Sequence, residues 1–263
     1  MVSQRQKHST ETRVIRKLRR QFTVAPISTS RIHAVMITGK CPERIPMARV
    51  AAECFLRQTH PDRRLLIINH GAEPLRIQVR TNPGDTYVGC DEVMVSRTEL
   101  PTLGDLRNRA LDLCMNGLIC VWDDDDWMAD NYMAIMAAAY QHGHVVLMQR
   151  QLRHDLDNNS SYIKKAAEGH AGQALYSANV PYRYPSLDRH EDSHFVNHFA
   201  NRRVMLLNDP GIYIRMCHGH NTWHKRHIMG SLAERHNVHV LSDRQIELVG
   251  AVRRLYGRDM PSG

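Results

Sequence analysis

The sequence predicts an α/β domain built on a mainly parallel sheet with helices on both faces. Short apolar runs, each ending at loop residues, alternate with segments whose apolar residues recur every three or four positions. Strands separated by helices of about 10–14 residues indicate βαβ units. One apolar run, residues 118–122, leads directly into four aspartates. Acids in this position are typical of the carboxyl end of a parallel strand, where open α/β folds bind ligands.

The first half of the chain supplies these elements in order. The run Ile32–Thr38 predicts a strand that ends at Gly39, and residues 45–58 have helical spacing with Pro46 in the first turn. Further strands are expected at 65–69, 92–95, 118–122 and 145–148, and further helices at 104–115 and 130–142. Beyond residue 150 the pattern loosens. It predicts a loop at 155–161, a helix from about 190 to 199, and short strands at 204–208 and 211–216.

Composition limits the class of protein. With 42% hydrophobic and 24% charged residues, the chain of 263 residues has an ordinary globular mix. No stretch approaches the roughly 20 apolar residues of a membrane span, and the basic N-terminus lacks the apolar core of a signal peptide. The six cysteines form no C-x-x-C pair, which favours free thiols in a reducing compartment, so a cytoplasmic protein is expected. The net charge of +8 favours polyanionic partners such as nucleotides or nucleic acid.

The four consecutive aspartates are the strongest candidate for chemistry. In an extended segment alternate side chains share a side, so Asp123 and Asp125 can converge on one cation. Adjacent carboxylates repel one another, and a hard divalent ion would supply the missing counter-charge. The alternative is a solvated acidic turn before the next helix, because acids are favourable at helix starts.

Several motifs, taken in order, resemble the family 2 glycosyltransferases of the GT-A fold. The letters GDLRNRAL (104–111), an apolar strand and VWDDDDW (121–127) are similar to a helix, strand and D-x-D-D segment of that family. VMIT (35–38) and QTH (58–60) match its first strand and the end of its first helix. The resemblance covers residues 31–225. It implies a Rossmann-like, mostly parallel sheet and an inverting enzyme that moves a sugar from a nucleotide-sugar donor to an acceptor hydroxyl.

The resemblance also implies a metal site and a nucleotide site. Asp125, helped by Asp123 and by His218 of the segment HGHNT (218–222), would hold Mn²⁺ or Mg²⁺, and an imidazole among carboxylates suits Mn²⁺ better. A zinc site built from His218, His220 and His224 is the alternative. Asn69 and His70 replace the family's two aspartates and could still bind a base edge, so the donor base stays open. The residues expected to bind the nucleotide sugar are Thr38, Asn69, Arg107, Asp123 and Asp124.

A second carboxylate pair follows later in the chain. The letters HEDSHF (190–195) match the family's E-D motif, which implies that Asp192, beside Glu191, is the catalytic base. An acceptor hydroxyl must lose its proton as it attacks, and a positioned carboxylate can take it. The alternative for this pair is a helix cap. For Arg107, the alternative to a donor contact is a surface ion pair with Asp105.

The expected organisation is a basic extension (1–30), a glycosyltransferase domain (31–225) and a C-terminal helical extension (226–263). Within the domain, 31–150 would bind the nucleotide sugar and 151–225 the acceptor, with 149–177 facing it. The extension at 1–30 is either a packing helix or a phosphate-binding arm. The acceptor could be a hydroxymethylated DNA base, as in some phage enzymes, or a cell-surface saccharide or lipid-linked precursor. The rival functions are an inactive GT-A binding module and a nucleotidyltransferase.

Overall fold

A computed structural model describes residues 30–39, 41–71, 93–199, 204–222, 238–239 and 241–259. The predicted basic extension (1–30) lies outside the described residues except for Ser30. The helices are α1 (Ile45–Leu56), α2 (Leu103–Leu113), α3 (Tyr132–Ala139), α4 (Glu191–Asn197) and α5 (Asp243–Asp259). The strands are β1 (Ile32–Thr38), β2 (Arg63–Asn69), β3 (Val93–Arg97), β4 (Leu118–Val121), β5 (Trp127–Met128), β6 (Val145–Asp155), β7 (Ser160–Ser177), β8 (Val204–Leu207), β9 (Tyr213–Cys217) and β10 (Val238–His239).

All the described strands join one sheet with the order β3-β2-β1-β4-β7-β6-β9-β5, while β10 lies beside β7 and β8 beside β6. The first half is parallel: β1 lies between β2 and β4, and β3 lies beyond β2. Strand β7 then joins antiparallel to β4 and β6, and β6 runs parallel to β8 and β9. Apolar side chains on the two faces of the sheet form two separate cores, which is why the parallel strands read as continuous apolar runs.

The largest difference from the sequence prediction is a long hairpin. The prediction of a strand that ends at residue 148 is wrong, because β6 continues to Asp155 and pairs with β7. Only the turn between these strands, where Asn159 has a φ of 51°, matches the predicted loop. The hairpin escaped prediction because its buried positions include polar side chains, among them Gln151, Arg153 and Gln173, so the apolar alternation of a strand is missing.

The C-terminal segment contributes a helix to the main core. Four side chains of α5 (Leu248, Val249, Val252 and Tyr256) are buried in the same apolar cluster as Phe55 of α1. The helix therefore packs on the face of the sheet that α1 covers. None of the helices in the described part of the chain has both the length and the apolar character that a membrane crossing requires.

Candidate active site

The acidic segment leaves the sheet from a rigid point. Trp122, which follows β4, is buried, and its backbone N–H donates to Val35 O of β1 at 3.0 Å. Its indole Nε1 donates to Ala51 O of α1 at 3.1 Å, and its ring lies edge-on to Phe55 and Tyr132. Because the tryptophan is fixed by both backbone and ring, the four aspartates that follow emerge at a defined place beside the carboxyl end of β1.

An arginine from the loop after β1 neutralises part of this segment. Arg44 Nη2 donates to Asp124 Oδ1 and lies 2.9 Å from Asp125 Oδ2. Burial alone would raise the pKa of Asp125, but Arg44 and the hydrogen bond from His218 outweigh burial and hold that pKa below its usual value. For Asp124, burial wins over Arg44, and the pKa rises to about 7. Asp125 is therefore the firmly ionised member of this pair.

Asp125 and His218, two of the predicted metal ligands, lie side by side. His218 Nε2 is 3.1 Å from Asp125 Oδ2, and Asn221 Nδ2 donates to the same oxygen at 3.0 Å. The backbone N–H of His220 donates to His218 Nδ1 at 3.1 Å, and the Nε2 side of the ring faces Asp125. Asn221 Oδ1 also accepts from the His218 backbone at 2.7 Å, so this loop is held onto the acidic segment.

Asp126 points away from this group, into the protein. Its carboxylate accepts from the Tyr213 hydroxyl and, at 2.8 Å, from the Met216 backbone N–H. The Tyr213 hydroxyl accepts in turn from Gln173 Nε2 at 2.9 Å, and Gln173 Oε1 accepts from Gln151 Nε2 at 2.5 Å. Burial, together with the neighbouring aspartates, raises the pKa of Asp126 well above its usual value. Asp126 thus joins the acidic segment to β9 and to the hairpin.

Asp123 and Asp192 approach one another across a glycine of β7. From the position that a Cβ atom on Gly172 would occupy, Asp192 Oδ2 is 3.5 Å away and Asp123 Oδ2 is 4.0 Å away. The other Asp192 oxygen accepts from Ser193 N at 2.6 Å. The structure therefore places Asp123 on the Asp192 side of the acidic segment, while Asp125 lies with His218.

Arg107 is paired with Glu191 and not with Asp105. Arg107 Nε donates to Glu191 Oε1 at 3.0 Å, and both side chains are buried. Asp105 instead accepts from the Thr102 and Ser186 hydroxyls. Burial raises the pKa of Glu191, and Arg107 offsets part of the rise. Neither Glu191 nor Asp192 is the N-cap residue of α4, since that position belongs to His190, whose side chain makes no capping hydrogen bond.

A glycine lets these two segments meet. A Cβ atom on Gly104 would lie 1.8 Å from Pro185 O, so only glycine permits the first turn of α2 to approach the chain before α4. The Gly104 backbone N–H donates to Leu187 O at 3.0 Å, and the Asn108 side chain bonds the backbone of Tyr184 at both ends. These contacts hold the Arg107 and Glu191 side chains within reach of each other.

A cavity of about 370 Å³ opens beside the acidic segment, at the carboxyl ends of β1 and β4. Four of the five residues predicted to bind the nucleotide sugar line it: Thr38, Arg107, Asp123 and Asp124. Asn69, the fifth, is buried at the end of β2, where its Oδ1 accepts from Gly71 N at 2.9 Å, and its neighbour His70 lines the cavity. Arg44, Arg189 and His220 are further polar residues of the wall.

Three residues of the site had no predicted role: Arg44, Arg215 and Asn221. Burial would lower the pKa of Arg215, but the nearby carboxylates of Asp126 and Asp123 outweigh burial and raise it. A single arginine within the otherwise apolar strand YIRMC was the available signal for this residue. Asn221 belongs to the segment HGHNT, whereas nothing around Arg44 in the sequence indicates its partner.

Fold and site together define a class: an α/β domain with a cavity at the carboxyl ends of its parallel strands, an acidic segment at the edge of that cavity and a second carboxylate near the segment. Solved structures of this architecture match the chain. The mannosyltransferase PcManGT from Pyrobaculum calidifontis, in complex with GDP-Man and Mn²⁺, has a TM-score of 0.54 and 13% identity over 96% of this chain and 79% of that chain. TarS from S. aureus has a TM-score of 0.51 and 14% identity over 71% of this chain and 36% of that chain.

A fragment of TarS (1–349) in complex with UDP-GlcNAc has a TM-score of 0.51 and 11% identity over 73% of this chain and 60% of that chain. The match thus spans about a third of the first TarS chain and less than two thirds of the fragment. No protein-family model matches the sequence, and no curated protein matches it in sequence. At these identities the likeness concerns the fold, and the predicted GT-A fold is confirmed.

Proposed function

We propose that the protein is an inverting, metal-dependent glycosyltransferase of the family 2 type, which moves a sugar from a nucleotide-sugar donor to an acceptor hydroxyl. One observation carries the proposal: a single cavity brings Thr38, Arg107, Asp123 and Asp124 together, and Asp192 lies across Gly172 from Asp123. The structural neighbours bind donors of this class, UDP-GlcNAc and GDP-Man. Nucleotide-sugar binding by this chain follows as the simplest use of the cavity.

The donor set at the edge of the cavity fits a divalent ion. Asp125 Oδ2 and His218 Nε2 are already 3.1 Å apart, and a carboxylate with an imidazole is a suitable set for Mn²⁺. These two residues would hold the ion. When bound, the ion would supply positive charge to the departing nucleoside diphosphate. PcManGT was solved in complex with Mn²⁺, which supports the same choice here.

The chain's own residues provide the remaining chemistry. Arg107 lines the cavity while its Nε holds Glu191, so it fixes the start of α4 against the donor side. Asp192, the second residue of α4, keeps one oxygen on Ser193 N and presents the other beside Gly172. There it would accept the proton of an acceptor hydroxyl that attacks from the hairpin side.

For the acceptor we favour a hydroxyl on a polyanion, with a hydroxymethylated base in DNA as the proposed substrate. The chain carries a net charge of +8, and in the hairpin strand beside Asp192 Lys164 is half-buried and Lys165 is exposed. Binding to duplex DNA that depends on phosphate contacts should weaken steeply as salt rises. A saccharide or lipid-linked acceptor would instead be used equally well at low and moderate salt.

The test separates the two carboxylates. Nucleotide sugars are screened by thermal shift with and without Mn²⁺, since a ligand that binds the native state raises the melting temperature. Asp125→Ala should abolish the Mn²⁺-dependent shift as well as turnover. Asp192→Asn should keep the shift and reduce kcat by about 10²–10⁴, the usual contribution of a general base.

Asp157→Asn, an exposed aspartate in the turn after β6, is the matched control and should behave as the wild type. No shift with any nucleotide sugar would contradict the proposed function. Wild-type turnover by Asp192→Asn would contradict the assignment of Asp192 as the base. Full turnover in the presence of a chelator would contradict the proposed metal dependence.

A further inference from the structure

Two loops at the rim of the cavity bring together a cysteine, a glutamate and a histidine. The Cys41 Sγ, a Glu43 carboxylate oxygen and a His220 ring nitrogen all lie within 4.8 Å of one another. Cys41 and Glu43 flank Pro42 in the loop after β1, and His220 lies in the loop after β9. Among the described residues, these are the three potential ligand atoms that lie close enough together to share one metal ion.

The geometry points to a second metal site, formed by Cys41, Glu43 and His220 and suited to Zn²⁺. Thiolate, imidazole and carboxylate are the three ligand types of zinc, which binds them at about 2.0–2.3 Å in a tetrahedral arrangement. Ligand atoms already within 4.8 Å need only small shifts to meet those bond lengths. Three protein ligands leave the fourth position of the tetrahedron to water.

The chemistry of this site differs from that of the Asp125–His218 pair. A soft thiolate favours Zn²⁺ over Mn²⁺ or Mg²⁺, whereas carboxylate and imidazole without sulfur accept the harder ions. The Cys41 thiol donates to Glu43 Oε2 at 2.9 Å, and burial, followed by this hydrogen bond, raises the pKa of the thiol. Binding of zinc would replace that proton, which leaves to solvent, so that the sulfur binds as thiolate.

The loops that carry the ligands also carry the donor site. The 3-10 turn that follows Cys41 presents Arg44 to Asp124 and Asp125, and Arg44 N donates to Cys41 O at 3.0 Å. The His220 backbone N–H reaches His218 Nδ1 at 3.1 Å. An ion bound to Cys41, Glu43 and His220 would therefore tie the loop after β1 to the loop after β9 at the rim of the cavity.

Co²⁺ is the probe, because a cobalt–thiolate bond gives a charge-transfer band in the near ultraviolet that oxygen and nitrogen ligands do not give. The full chain is titrated with Co²⁺, and Zn²⁺ is then added to displace it. The wild type should show the band and lose it to Zn²⁺, and Cys41→Ser should not show it. Glu43→Gln and His220→Gln should each weaken Zn²⁺ binding by at least about tenfold, since losing even an outer partner of a metal costs about 10–100-fold.

Two variants serve as matched controls. Cys90→Ser removes the one thiol that lies outside the described residues, and Asp157→Asn removes an exposed carboxylate in the turn after β6; both should keep the band. The other described cysteines are buried, whereas Cys41 is only half-buried and is open to an added ion. Absence of the band in the wild type, or its persistence in a folded Cys41→Ser variant, would overturn the assignment. These outcomes do not depend on whether the protein transfers sugars.

Discussion

The buried ion pair between Arg107 and Glu191 should have a larger coupling energy than an exposed ion pair of the same length. Its Nε–Oε1 distance is 3.0 Å, and the two side chains are 10% and 4% exposed. Arg183 and Asp112 form a second pair at 3.0 Å, but these side chains are 57% and 51% exposed. Both pairs join α2 to the segment after β7, so they differ mainly in their access to water.

The perturbation is a double-mutant cycle on each pair. Removing one partner of a buried pair leaves an uncompensated charge, so Arg107→Met or Glu191→Leu alone should lower the free energy of unfolding by about 3–5 kcal/mol. The double variant leaves no buried charge and should lose much less than the two single losses together. We expect a coupling energy of about 2 kcal/mol or more. For Arg183→Met and Asp112→Leu the coupling should be below about 1 kcal/mol.

Urea unfolding of the seven proteins (the shared wild type, four single variants and two double variants), followed by circular dichroism, gives the free energies directly. Equal coupling energies for the two pairs would refute the reasoning, because burial would then have no effect on the interaction. A coupling near zero for Arg107 and Glu191 would mean that water reaches this pair.

Three further predictions concern single substitutions. Tyr213→Phe removes the hydroxyl that links Asp126 to Gln173. The free energy of unfolding, measured in urea, should fall by about 2–4 kcal/mol because two buried polar groups lose a partner. Burial, followed by a neighbouring arginine, lowers the pKa of His170 to about 3. The unfolded chain therefore binds the proton at a higher pH than the folded chain, and the free energy of unfolding falls as the pH drops below 6.5. This effect should cost the wild type up to about 2 kcal/mol in the free energy of unfolding between pH 7.5 and pH 5. His170→Gln should remove that loss, and urea unfolding at both pH values measures it. Gly172→Val should fill the space between Asp192 and Asp123 and reduce the measured turnover by at least about tenfold.

Each of these substitutions has a matched control, which is either a similar change at another position or a smaller change at the same position. Tyr140→Phe alters a half-buried hydroxyl before β6 and should cost less than about 1 kcal/mol, while His142→Gln alters an exposed histidine and should leave the acid sensitivity in place. Gly172→Ala adds a single carbon at van der Waals distance from Asp192, so its effect should be smaller than that of valine. Equal effects of a substitution and its control would contradict the corresponding prediction.

Local patterns predicted the elements that build the site. Periodicity finds three of these elements: the strand Ile32–Thr38, the helix after residue 44 and the strand before the aspartates. It can do so because the residues that form the pattern within each element are only a few positions apart in sequence. The position of Asp125 beside His218 came from the order of motifs that resemble a family. Periodicity alone could not supply it, because the two residues are 93 positions apart.

The partners of the charged groups could not be predicted for the same reason. Arg44 reaches Asp124 across 80 positions and Arg107 reaches Glu191 across 84, and no short-range pattern records such pairs. Arg107 was expected to contact the donor, and the alternative was an ion pair with Asp105, a neighbour in sequence. Asp105 is instead held by hydroxyls, one of them from Ser186. The continuation of β6 beyond residue 148 and the strand β7 were missed because buried polar residues interrupt their alternation.

The acidic segment was expected to need a metal ion as counter-charge, but the chain already supplies two cations to it. Arg44 contacts Asp124 and Asp125, and Arg215 lies among Asp123, Asp125 and Asp126. A divalent ion on Asp125 would repel the guanidinium of Arg44, whose side chain already lines the cavity. An arginine displaced in this way would face the phosphates of a bound nucleotide, and its planar group can bind two phosphate oxygens at once. Under the proposed function, the same residue would stabilise the acids before donor binding and the diphosphate after it.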